Sequence, residues 1–189
     1  EACRPSIESL KEGEADLVTR LKTRSDARTE VLESIPGIGV LGARTVVSAL
    51  DDVKRFDNGK CVANYGALAP TIFQTGDHVH MGRINRDGRQ EVRRVMLQCA
   101  HVLLRMKSPA SRPLREFFLR VERKRGKKKA LVALARKLLV VCYGVLKSGT
   151  PFDPDKTEAR FPVAKGSDAP PPRPTGSVTR SYVLKKVAG

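Results

Sequence analysis

Arginines and lysines supply most of the chemistry this sequence could do. Arg83, Arg86, Arg89, Arg93 and Arg94 lie within twelve positions, and Arg123, Lys124, Arg125, Lys127, Lys128 and Lys129 form a second, denser run around Gly126. A guanidinium is planar, stays charged and donates two parallel hydrogen bonds to phosphate oxygens, so the first group suits a phosphate clamp. Arg89 and Arg93 stand one helical turn apart, which allows both to reach one ligand. The second run suits contact with a nucleic-acid backbone irrespective of sequence. The bland alternative for both is a solvated basic helix face.

The stretch Leu32-Glu33-Ser34-Ile35-Pro36-Gly37-Ile38-Gly39-Val40-Leu41-Gly42-Ala43 is the most specific in the chain. It reads as a helix end, a tight turn with Gly on both sides of Ile38, and a second helix turning Ala43, Val46 and Val47 inward. Glycine admits backbone angles that a side chain forbids and lets the turn approach another backbone. The N–H groups opening the second helix are then free for a phosphate, assisted by the helix dipole. This is a helix-hairpin-helix pattern over residues 31–50, with Pro36, Gly37, Ile38 and Gly39 as candidate DNA contacts. The competing reading is a plain helical hairpin in which Pro and Gly only end one helix and turn the chain.

Composition narrows the partners. The chain has 36 Lys and Arg against 20 Asp and Glu, a formal net charge of +16, and such a surplus makes nucleic acid the first partner to consider. A basic membrane-surface protein fits less well, because there is no Trp and aromatic residues make up only 5%, too few to anchor in an interface. No run approaches the length of a membrane span. Cys3, Cys61, Cys99 and Cys142 lie far apart with no Cys-x-x-Cys pair, so zinc is not expected; Cys99 and Cys142 fall on apolar helix faces as small buried hydrophobes. His78 and His80 beside Asp77 offer no third metal ligand, His101 reads as structural, and Asp51 with Asp52 sit near a helix end without the spacing of a metal site. No metal ligand is assigned.

These residues need positioning, and the apolar spacing predicts a mainly α fold: the helix-hairpin-helix, then a small helical domain with a hairpin-like loop. Residues 5–33 read as a charged helix with a narrow apolar stripe interrupted at Gly13, and 1–30 as a helical or coiled linker. Short helices are expected over 41–50 and 59–68, the second capped by Asp57 or Asn58. Residues 71–85 read as an extended hairpin around Thr75-Gly76-Asp77. Val92, Val95, Met96, Cys99, Val102, Leu103 and Met106 mark an amphipathic helix over 86–107. A shorter helix enters at Pro113, and 123–129 reads as a basic loop. A last helix carries Leu131, Leu134, Ala135, Leu138, Leu139, Cys142, Val145 and Leu146 and stops at Ser148-Gly149. Beyond Pro154 the Pro-rich 155–189 has no helical period and is expected to be a disordered tail, dispensable for the core. With no initiator Met, and first residues that already look like mid-helix, the chain reads as a fragment.

The ordered series Asn64-Tyr65-Gly66-Ala67-Leu68-Ala69-Pro70, Gln74-Thr75-Gly76-Asp77, Gly82-Arg83-Ile84-Asn85-Arg86-Asp87-Gly88-Arg89 and Val92-Arg93-Arg94 leads to a family. Together with the hairpin before it and Tyr143-Gly144-Val145-Leu146-Lys147 and Pro151-Phe152-Asp153-Pro154 after it, the series resembles the C-terminal domain of transposases of the insertion-sequence one-ten group, the RNA-guided bridge recombinases. The resemblance runs from about 31 to 154.

It implies a two-part active site. A RuvC-like N-terminal domain supplies acidic ligands for a divalent metal, expected to be Mg, and the C-terminal domain supplies a nucleophilic serine just before a glycine, after a Gly-Leu-x-Pro stretch. Here Thr75 precedes Gly76, so the resemblance puts a threonine at the nucleophile's position, where the extra methyl crowds the hydroxyl. No cofactor is expected on this chain. Two readings stay open. One is a transposase domain that binds DNA and, with its other half, cleaves and rejoins strands. The other is a noncatalytic DNA- or RNA-binding module left from a truncated transposase. The partners implied are DNA, a guide RNA and further copies of the chain, without a membrane, in a bacterial cytoplasm at the nucleoid. The isolated chain is expected to bind DNA without cutting it.

Overall fold

The computed structural model describes residues 4–23, 26–75, 78–85 and 87–156. Among them are α1 (Arg4–Thr23), α2 (Ala27–Glu33), α3 (Val40–Leu50), α4 (Gly59–Tyr65), β1 (Pro70–Thr75), β2 (His78–Ile84), α5 (Gln90–Arg105), α6 (Arg112–Arg125) and α7 (Lys127–Ser148), with single 3-10 turns at Val53–Arg55 and Pro109–Ser111. The fold is mainly α, with one small antiparallel hairpin.

The last helix is the hub. Leu134, Leu138, Leu139 and Cys142 of α7 are fully buried, each side chain of this size contributing roughly 1.5–3 kcal/mol by leaving water. Helices α2, α4, α5 and α6 all pack on α7, and α3 packs on α2 and α5. Val92, Met96, Cys99 and Leu103 form the buried stripe of α5, the stripe that its apolar spacing announces. Gly149, at φ 66°, ends α7 in the left-handed conformation that glycine takes at little cost.

The N-terminal segment departs from the expected single helix. Helix α1 runs through Gly13, and the break comes later: Asp26 caps α2, its carboxylate accepting the Arg28 backbone N–H at 3.4 Å. Thr29 and Leu32 of α2 are buried, so packing begins inside the stretch read as a linker. Helix α1 instead leaves Ile7, Leu10 and Leu17 exposed. The fourth helix is capped by Asn58, which accepts from the Lys60 and Cys61 N–H groups at 2.9 and 3.1 Å. It closes at Tyr65, three residues short of the expected end, because Gly66, Ala67 and Leu68 turn the chain toward β1.

Strands β1 and β2 pair Ile72 with Met81, Phe73 with His80 and Thr75 with His78, with an irregularity between Pro70 and Ile72. Ile72 and Phe73 are both 58% exposed. Neighbours in a strand point to opposite faces, so neither face of the hairpin is covered there. Residues 123–129 are not a loop. Arg123, Lys124 and Arg125 form the last turn of α6, Lys127, Lys128 and Lys129 the first turn of α7, and Gly126 alone, at φ 83°, joins them. Helix α5 starts at Gln90, four residues after the expected start, because Gly88 and Arg89 dock on the end of α4 first. The expected disordered tail lies, from residue 157 onward, outside the described residues.

Candidate nucleic-acid interface

The turn between α2 and α3 is built largely against the core. Ser34 ends α2, the Ile35 N–H donates to Leu32 O at 3.0 Å and the Ile38 N–H to Ile35 O at 3.1 Å. Ile35, Pro36 and Ile38 are buried. Gly37 sits at φ 87°, and a Cβ there would stand 2.8 Å from both the Cys99 carbonyl oxygen and the Leu103 Cβ of α5. Packing therefore accounts for three of the four turn residues singled out as DNA contacts. Gly39 differs: it is exposed, caps α3 without a side-chain bond, and would offer a Cβ open space. The turn is also tied to the segment that follows α7, since the Phe152 N–H donates to Ser34 Oγ at 2.8 Å.

A second construction joins α4, the hairpin and α5. The Asn85 N–H donates to Ala69 O and the Arg89 N–H to Tyr65 O, at 2.9 and 2.7 Å. A Cβ on Gly88 would stand 2.5 Å from Tyr65 O and 2.6 Å from Ala67 N, so only glycine lets the start of α5 lie on the turn that ends α4. A Cβ on Gly66 would fall 2.4 Å from Leu139 of α7. Ala67 takes φ 53°, a left-handed angle that favours glycine, at the position where a Gly-Leu-x-Pro stretch would have its glycine.

This docking fixes the arginines at the start of α5. Arg89 and Arg94 are exposed and Arg93 half-buried, while Arg83 projects from β2. The Arg89 Nε–H donates to the Tyr65 hydroxyl at 3.2 Å. The Arg55 guanidinium lies 4.6 Å from the centroid of the Phe56 ring and 4.7 Å from that of Tyr65, distances at which a cation is attracted to an aromatic face. Arg55, and to a lesser extent Arg89, lowers the Tyr65 phenol pKa from its ordinary value against the opposing effect of burial. An open depression of about 490 Å³ is lined by Tyr65, Asp87, Gly88, Arg89, Gln90, Glu91 and Arg94. Arg89 and Glu91 also line a neighbouring hollow with Arg44, Thr45 and Ser48 of α3. Tyr143 anchors the loop that carries Phe56, its hydroxyl donating to Phe56 O at 2.8 Å.

Arg55 and Tyr65 escaped the sequence reading of the site. The sequence separates Arg55 from Arg89 by an entire hairpin, and only the Gly88 contact brings the two to one phenol.

The remaining candidates are spread out. Arg123, Lys124, Arg125, Lys127, Lys128 and Lys129 are all exposed around Gly126, gathered by the meeting of two helix ends. Thr75 ends β1 opposite His78; its side chain, with Gly76, Asp77 and Arg86, lies outside the described residues. Asp52 caps the 3-10 turn through a 2.9 Å bond from the Lys54 N–H, and Asp51 ends α3. Among the described residues no three His, Cys, Asp or Glu side chains are grouped to hold a metal. Cys99 and Cys142 are buried, whereas His101 is exposed on α5. Among the described residues no helix is long and apolar enough to cross a membrane.

The profile of the Transposase IS116/IS110/IS902 family matches residues 29–115. A pilin gene-inverting protein of Moraxella bovis is 33% identical over 128 residues, which cover 67% of this chain and 39% of that protein. The insertion element IS110 uncharacterized 43.6 kDa protein of Streptomyces coelicolor is 32% identical over 135 residues, covering 70% and 31%. A transposase for insertion sequence element IS1328 of Yersinia enterocolitica is 28% identical over 145 residues, covering 77% and 43%. The chain thus spans less than half the length of these relatives. The matched stretch holds the α2–α3 turn, the α4–hairpin–α5 construction and its arginines, and with these homologues it establishes that the chain belongs to the IS116/IS110/IS902 transposase family, as a domain of the C-terminal type.

Proposed function

We propose that this chain is the DNA-handling domain of a transposase, gripping the phosphate backbone and presenting the Thr75 hydroxyl for strand cleavage and rejoining. The observation that carries the binding half is the joint at Gly126, where six basic side chains stand exposed with no acid in the first turn of α7. Lysines at a helix start oppose the helix dipole, and a polyanion relieves that opposition. The exposed arginines at the start of α5 and on β2 and the free N–H groups after Gly39 supply further phosphate contacts.

For cleavage, Thr75 Oγ1 attacks phosphorus as its hydroxyl proton passes to water, the bond from phosphorus to the leaving oxygen breaks, and a covalent threonyl phosphodiester forms. The departing oxygen takes up a proton; in rejoining it gives that proton to water as it reattacks phosphorus, and Thr75 Oγ1 takes one up as it leaves. A divalent metal such as Mg, held by acids outside this chain, would lower the charge at the reacting phosphate. A guide RNA, further copies of the chain and a cytoplasmic, nucleoid-associated setting belong to the same reading.

A noncatalytic nucleic-acid-binding module is the second reading, favoured by threonine standing where the resemblance implies serine. One experiment separates the two. The chain is supplied with a family N-terminal half, RNA and labelled DNA, and a denaturing gel is searched for protein linked to DNA. Catalysis through Thr75 gives an adduct that increases in Thr75→Ser and vanishes in Thr75→Ala. An adduct that survives in Thr75→Ala moves the nucleophile elsewhere, and no adduct in any form favours the noncatalytic module.

A further inference from the structure

We propose that Arg55, Tyr65 and Arg89 form a seat for one backbone phosphate of bound DNA, beside the depression that Tyr65 and Arg89 line between α4 and the start of α5. This inference rests on the DNA-binding reading and adds a defined contact to it.

Two guanidinium groups approach one phenol. The Arg89 Nε–H donates to the Tyr65 hydroxyl at 3.2 Å, which leaves the hydroxyl's own proton to donate outward. Arg55 is held against the Phe56 and Tyr65 rings and by its bond to Ala49 O at 3.0 Å. Its position is thus set by rings and a carbonyl rather than by a carboxylate. Ion pairs form elsewhere, at Asp16 with Arg20, Asp26 with Arg28, Arg112 with Glu116 and Asp153 with Lys156; among the described residues neither Arg55 nor Arg89 enters one. Asp87 and Glu91 line the same depression, but among the described residues neither forms an ion pair with these two cations.

The backbone is committed to the arrangement as well. The Arg89 N–H is bonded to Tyr65 O at 2.7 Å, and Gly88 leaves no room for a Cβ against Tyr65 and Ala67. Two guanidiniums drawn to one phenol, whose hydroxyl can also donate, match the oxygens of a phosphodiester. A free phosphate ion has the same chemistry, and the test separates the two sources.

Affinity for a short labelled duplex is measured against salt for the full chain, with thermal melts confirming that each variant is folded. Each phosphate neutralised contributes about 0.9 to the slope of log affinity against log salt. Because both arginines serve one phosphate, Arg55→Ala with Arg89→Ala together should lower the slope by about 0.9, rather than the roughly 1.8 expected of two separate contacts. Tyr65→Phe should weaken binding about tenfold, as for a lost hydrogen bond to a charged group, with the slope unchanged. If Arg55→Ala does not fold, Arg55→Lys keeps the charge and should retain the slope while binding less tightly.

A doubled loss of slope, or no loss, overturns the seat. A double variant that binds DNA like the parent while losing a phosphate-induced rise in melting temperature would assign the seat to free phosphate, and so also overturns it. A parent chain that binds no duplex sinks the DNA reading itself, and this seat with it.

Discussion

Gly37 touches Cys99 so closely that an added Cβ would stand 2.8 Å from the Cys99 carbonyl oxygen. The hairpin turn that looks made for DNA is thus also a joint between the α2–α3 pair and α5. Gly37→Ala should cost about 3 kcal/mol, combining a left-handed angle with a backbone clash. Gly39→Ala, facing open space, should change stability by less than about 1 kcal/mol. Urea midpoints of the two variants check the contrast. Equal destabilisation would mean that Gly37 does not seat the turn on α5.

The same contact marks the limit of what the sequence discloses. Two glycines around Ile38 announce a tight turn, but nothing local says that Gly37 meets α5 some sixty residues on. The apolar spacing of α5 and α7 is periodic enough to reveal both helices, because burial on one face enforces it. Residues 123–129 read as a loop because glycine and dense like charge both disfavour helix, yet Phe118 and Ala130 bury on either side and draw the flanking turns into α6 and α7. At the candidate site, the arginines before and within α5 are legible as a charge cluster. Tyr65 and Arg55 are not, since their role depends on the docking of Gly88.

The lysines opening α7 should trade stability for binding. Lys127→Glu, Lys128→Glu and Lys129→Glu combined place acids at the positive end of the helix dipole, worth roughly 0.3–1 kcal/mol each at low ionic strength. The triple variant should unfold at higher urea than the parent while binding DNA more weakly and with a shallower salt dependence. A variant that binds as the parent does would remove this joint from the interface.

The cysteines give a pH test. Burial pushes the Cys99 thiol up from 9.0 to about 11 and raises Cys142 further. A group whose folded pKa exceeds its unfolded value contributes stability that is present below the unfolded pKa and lost as pH rises through the folded one. Urea midpoints should therefore fall between about pH 9 and pH 11. At pH 8 a thiol-alkylating reagent should modify exposed Cys61 and spare Cys99 and Cys142 until denaturant is added. Rapid alkylation of native Cys99, read by peptide mass spectrometry, would contradict its place in the core.

The most direct test of the central claim is the salt dependence of DNA binding by the chain itself, measured with two duplexes of unrelated sequence. Phosphate-directed binding through the α5 arginines and the Gly126 joint predicts similar affinities for both duplexes and a steep linear fall of log affinity with log salt. No binding at low salt, or an affinity indifferent to salt, would contradict it.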